Sequence, residues 1–268
     1  MTLSNVPYLA LLDSGVGGLA TLELLLARFP NLSYAYLADG AYFPYGPKTA
    51  LVVRERVASL MEQLEAAFSL SGLVIACNTA AQEELCSQQK SFPLFDPIDS
   101  TCRAIRHRLS STEHKAHIAL LATPTTVDTG RYPKLLHPQF EMTQLVTAEL
   151  VTAVEAGYAL DSPEMQAVLL PIFERIALIE PDAIVLGCTH FSWVESAFQT
   201  RFPEVMVFNS AACLADDVAQ LVEAHPELLG NQRQILNTKE TLDFELFLAR
   251  LGLPTDVKLF DRLNYISH

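Results

Sequence analysis

The sequence predicts an α/β fold with mostly parallel sheets, and three observations lead there. Short apolar runs alternate with longer stretches of helical period, the grammar of β-α-β units. Those apolar runs end in small or polar residues, as strands do where an open sheet meets its ligand. The 268 residues are 50% hydrophobic with a mean hydropathy of +0.23, enough to bury the core of one large or two small domains.

Taken in order, an apolar run at 8–12 reads as a strand and the periodic stretch 19–27 as its crossover helix. Strand 34–37 precedes the long helical pattern of 50–68, and strand 73–76 precedes helices at 82–88 and 100–109. Strand 118–122 is followed by a helix at 132–136, and strand 140–145 by helices at 148–156 and 163–179. Strands 183–187 and 205–208 lead into helices at 193–198 and 212–223. No Gly/Ser/Pro linker interrupts the series, so two domains would be closely packed or joined by short crossings.

Composition excludes several function classes. A net charge of −13 opposes a phosphate backbone, and no basic stripe interleaves with aromatics, so nucleic acid is not the expected partner. A small anionic substrate stays open, because backbone N–H groups make a site locally positive whatever the total charge. No apolar run reaches the roughly 18 residues that span a bilayer, and the N-terminal Met-Thr-Leu-Ser-Asn-Val-Pro lacks the features of a secretory signal. A cytoplasmic protein with no membrane partner is expected. The five cysteines, Cys77, Cys86, Cys102, Cys188 and Cys213, are odd in number and scattered, which reads as reduced thiols. None pairs at Cys-x-x-Cys spacing, and His107, His114 and His117 read as solvated surface, so no metal is expected.

Four polar clusters follow apolar runs: Asp13-Ser14-Gly15-Val16-Gly17-Gly18, Pro44-Tyr45-Gly46-Pro47, Cys77-Asn78-Thr79 and Cys188-Thr189-His190. The last two belong to a weak internal repeat, Val74-Ile75-Ala76-Cys77-Asn78-Thr79 against Val185-Leu186-Gly187-Cys188-Thr189-His190. A lone cysteine after a buried strand is usually a small core residue, the reading given to Cys86, Cys102 and Cys213. Two in matched settings point instead to chemistry, and a histidine beside a thiol is one way a thiolate is made. An aspartate before Ser-Gly serves as a turn or cap residue as readily as a catalyst. The glycine-rich cluster lacks dinucleotide and P-loop spacings, which leaves a carboxylate as the fitting anion.

In order and spacing, these clusters, with Lys48 and Ala80 added, resemble the signature segments of bacterial glutamate racemases over nearly the whole chain. The resemblance implies two similar α/β domains with the active site in the cleft between them, the first formed by 1–99 plus 211–268 and the second by 100–210. It implies interconversion of L- and D-glutamate for peptidoglycan synthesis, with no cofactor, by two cysteines on opposite faces of the substrate Cα. A single base would return its proton to the same face, so inversion calls for two. Carried over by motif, Asp13 partners Cys77, while His190 and Glu155 partner Cys188. Ser14, Tyr45, Gly46, Asn78, Thr79, Thr123, Thr126 and Thr189 would hold the substrate. The chain departs from the pattern at Ala122, at Thr147, Ala148 and Thr152, at Phe191-Ser192-Trp193 and at the acidic Asp96-Pro97-Ile98-Asp99. An isomerase of a related acid such as aspartate, a hydantoin or maleate, or a binding protein that keeps the fold, stays open as an alternative. So does a homodimer.

Overall fold

The computed structural model describes residues 6–110, 114–240 and 242–260. Met1–Asn5 of the N-terminal stretch, and both chain ends assigned above to the first domain, lie outside them. In chain order, β1 (Tyr8–Asp13), α1 (Leu19–Arg28), β2 (Tyr34–Ala38), α2 (Ala50–Ala67), β3 (Leu70–Ile75), α3 (Glu83–Cys86) and β4 (Leu94–Phe95) come first. Next are α4 (Pro97–Leu109), β5 (His117–Ala122), α5 (Pro124–Thr129), α6 (Arg131–Leu136), β6 (Glu141–Val146), α7 (Ala148–Glu155) and α8 (Pro163–Ile179). Then come β7 (Ala183–Leu186), a 3-10 turn (Thr189–Val194), α9 (Glu195–Arg201), β8 (Met206–Asn209) and α10 (Ser210–Ala224). A second 3-10 turn (Pro226–Leu228), β9 (Arg233–Asn237), α11 (Leu242–Arg250) and β10 (Val257–Leu259) complete the order.

The strands form two parallel sheets, ordered β10-β9-β2-β1-β3-β4 and β6-β5-β7-β8. In the first, β2 pairs with one edge of β1 and β3 with the other, so the crossovers diverge at the carboxyl ends of β1 and β3. The second sheet diverges in the same way between β5 and β7. Such divergence opens the crevice in which α/β proteins bind ligands. Asp13 and Cys77 stand at or just past the first crevice, and Thr123 and Cys188 just past the second.

One apolar cluster runs between the sheets, joining Leu12 and Ile75 of the first to Leu120 and Val185 of the second through Ile98, Cys102 and Ile105 of α4. Helix starts are set locally. The Asp96 carboxylate accepts the N–H groups of Ile98 and Asp99 ahead of Pro97 in the first turn of α4, and the Thr123 hydroxyl accepts that of Thr126.

The chain after α10 returns to the first sheet, where β9 pairs with β2 and β10 with β9. The short strands β4, β9 and β10, and helices α5 and α11, were not expected from the sequence. The helix expected at 193–198 is a 3-10 turn followed by α9, because the tighter turn buries His190, Phe191 and Val194 together. His117 is half-buried, with its Nε2 2.8 Å from the Thr143 hydroxyl, rather than solvated. No helix among the described residues is long and apolar enough to cross a membrane.

Candidate active site

Asp13 is the last residue of β1 and has no exposed surface. One carboxylate oxygen accepts the Gly15 N–H at 2.9 Å, while Oδ1 is buried without a hydrogen-bond partner among the described residues. Burial raises its pKa, against the pull of His190 and the Gly15 N–H. Tyr36 donates to the Gly15 carbonyl at 2.8 Å and so pins the turn. Gly17 has to be glycine, since a Cβ there would stand 2.1 Å from the Thr189 hydroxyl and 2.8 Å from His190 Nδ1. This contact brings the loop after β1 against the 3-10 turn that carries His190.

Cys77 and Cys188 are each 6% exposed. The Cys77 thiol points to the Ser14 hydroxyl, 3.8 Å away. Burial first, then the Asp13 carboxylate and then negative charge on Cys188, push its pKa up to about 12. Cys188 Sγ lies 3.8 Å from His190 Nδ1, and His190 Nε2 lies 2.6 Å from Glu155 Oε1 at the end of α7. Burial works against a charged His190, but hydrogen bonds to Cys188 and Glu155 prevail and raise its pKa to about 10. Its ring is flanked by Phe43 and Trp193, with centroids 6.1 and 6.2 Å away.

The expected binding residues cluster here, in different roles. Thr79, Thr123 and Thr126 form a hydroxyl triangle with edges of 2.8, 3.0 and 3.3 Å that joins the two sheets' loops. Gly46 packs against Thr123, where a Cβ would meet the Thr123 Cβ at 3.1 Å. Ser14 and Thr189 are buried beside the cysteines' own loops. The Tyr45 hydroxyl instead donates to Asp39 at 2.6 Å, and the Asn78 amide gives to Ser210 at 3.0 Å and accepts from Tyr132 at 2.8 Å. These two side chains set the loops. In the described structure the N–H groups of Asn78 and Thr79 donate to no protein group, the condition of an anion cradle. A cavity of about 710 Å³ is lined by Gly15, Phe43 and Glu155 and by Phe244, Phe247 and Arg250 of α11.

The matched family profile, described as Asp/Glu/Hydantoin racemase, covers residues 20–218, well over half the chain. The chain belongs to the Asp/Glu/hydantoin racemase family. Glutamate racemase of Klebsiella pneumoniae (strain 342) is 32% identical over 266 residues, covering 94% of this chain and 92% of that protein. A glutamate racemase isoform of Bacillus anthracis superposes with a TM-score of 0.80 at 28% identity, covering 96% of this chain and 98% of the other. That of Escherichia coli, solved in complex with L-glutamate and the activator UDP-MurNAc-ala, gives 0.70 at 25% identity, with 92% and 96% covered.

Within this racemase fold, sequence reasoning missed the residues that brace the site. Asp39, fully buried after β2, accepts from Tyr45, from Arg56 through two bonds of 2.9 and 2.6 Å, and from Thr238 at 2.7 Å. Its place just after an apolar run was the same signal that singled out Asp13. Arg131, 6% exposed, carried no such signal, because its partners lie 32 to 50 positions away.

Proposed function

We propose that the chain interconverts L- and D-glutamate by a two-base mechanism with Cys77 and Cys188 as the bases. One observation carries this reading: at the crevices of two facing sheets, two buried thiols have opposite electrostatic settings. Burial and the Asp13 carboxylate push the Cys77 pKa up to about 12, whereas the Cys188 sulfur lies 3.8 Å from Nδ1 of His190, whose own pKa is raised to about 10. A thiolate on one side takes the α-proton, the electron pair delocalises into the substrate carboxylate, and the thiol opposite delivers its own proton to the other face. Each turnover leaves the two sulfurs with their protonation exchanged, ready for the opposite enantiomer. Asp13 takes up or returns the Cys77 proton, and the His190–Glu155 pair does so for Cys188. The Ser14, Thr79, Thr123, Thr126 and Thr189 hydroxyls, with backbone N–H groups around Tyr45, Gly46, Asn78 and Thr79, hold the substrate's carboxylates and ammonium.

The reading includes a first domain of 1–99 plus 211–268, a second of 100–210, a cytoplasmic enzyme that supplies D-glutamate to peptidoglycan synthesis, and a homodimer as an assembly to be checked by light scattering. Circular dichroism on the purified protein tests the substrate: L-glutamate should lose its signal with time and L-aspartate should not. Brisk turnover of aspartate with none of glutamate would overturn the assignment.

A further inference from the structure

Helix α6 grips the Cys77 loop with two consecutive residues. Arg131 donates from Nη1 to the Ala81 carbonyl at 2.8 Å, and its fork spans both Asp96 oxygens at 2.8 and 2.9 Å. The Asp99 carboxylate lies 3.0 Å from Nη2. Tyr132 donates to the Asn78 side chain at 2.8 Å. Arg131, Tyr132, Asn78 and Asp96 are all buried. The loop that follows Cys77 is thus held at Asn78 and at Ala81 by a helix that crosses between β5 and β6 of the other sheet, while Thr79 bonds Thr123 and Thr126 just ahead of that helix.

A buried guanidinium bound to two carboxylates and a carbonyl is costly to maintain for packing alone, since well-packed apolar residues often serve as well. The bidentate fork supplies direction, which a hydrophobic contact does not. Proton transfer at a carbon needs that direction, because a displacement of about 1 Å costs on the order of 10²-fold in rate. We infer that Arg131 and Tyr132 are positioning residues for Cys77: they lock its loop to the second sheet, so that its sulfur holds a set distance and angle to the substrate Cα across from Cys188. This rests on the two-base reading above and adds residues that touch neither the substrate nor the Cys77 sulfur.

The test uses a reaction that needs only one base. Glutamate carrying chlorine on its β-carbon loses its α-proton to a thiolate; the electron pair forms the Cα=Cβ bond and chloride leaves. The resulting enamine takes up water to give 2-oxoglutarate and ammonium. Each enantiomer presents its α-proton to one cysteine. C77S and C188S should each abolish elimination from a different enantiomer, and if they do not, the two-base reading itself fails. Given that separation, Tyr132→Phe and the charge-neutral pair D96N/R131M should each slow elimination by about tenfold or more from the enantiomer lost in C77S, and by less than about threefold from the other. Equal slowing of both enantiomers, or none, would overturn the inference. Should the double variant not fold, Tyr132→Phe, which removes a single oxygen, decides alone.

Discussion

The two halves of the site use the same side chain in opposite surroundings. Around Cys77, burial first, then the buried Asp13 carboxylate and then charge on Cys188 keep the thiol protonated, its pKa pushed up to about 12. Around Cys188 the partner is a histidine whose far nitrogen lies 2.6 Å from Glu155, and the imidazolium persists to a pKa of about 10. One sulfur faces a carboxylate and the other a histidine.

Removing either sulfur breaks the comparison most sharply. C77S and C188S should each lower racemisation by roughly 10²–10⁴-fold, measured by circular dichroism on both enantiomers. If both variants racemise normally, neither thiol is a base. His190→Asn should cost about 10²-fold and carries a signature in stability. Since the folded protein raises the pKa of His190 from 6.5 to about 10, the stability it contributes is complete below pH 6.5 and is lost as pH rises through about 10. Melting temperatures across that window should therefore fall in the parent and flatten in the variant; an unchanged slope would mean that His190 is not charged in the folded protein.

Asp13→Asn sharpens the other half. Without the carboxylate the Cys77 pKa comes down from about 12, though burial keeps it above the ordinary 9.0. Racemisation should fall by about 10-fold to 10²-fold, with elimination from β-chloroglutamate affected in the enantiomer that C77S spoils. Glu155→Gln should cost less, about tenfold, and affect the opposite enantiomer, because it acts through His190 rather than on sulfur. If these two variants slowed the same enantiomer, the halves would not be separate. The smallest effects belong to the remaining thiols: C86A, C102A and C213A should leave kcat/KM unchanged and cost about 0–3 kcal/mol in chemical denaturation. Cys102, with no exposed surface, should cost the most and half-buried Cys86 and Cys213 less.

How much could be read in advance follows from the range of each interaction. Strands such as β1 and β5 were visible because consecutive buried residues make an unbroken apolar run. The half-polar strands β9 and β10, and the two-residue β4, were not, since their identity comes from the partner they pair with. The same division holds in the site. Cys188 and His190 are two residues apart, and their association was legible. Asp39 with Arg56 and Arg131 with Asp96 were not, because no local pattern marks a long-range ion pair.

The sequence by itself determined a parallel α/β chain with a cysteine and its polar neighbours at the end of one strand in each sheet, because strand period and strand-end chemistry are properties of adjacent residues. Only the tertiary structure decided the charged partner each sulfur meets. That depends on burial, on a carboxylate sixty-four positions before Cys77, and on Glu155 meeting His190 from another helix. Charges act through space and desolvation through enclosure, and both exist only once the two sheets face each other.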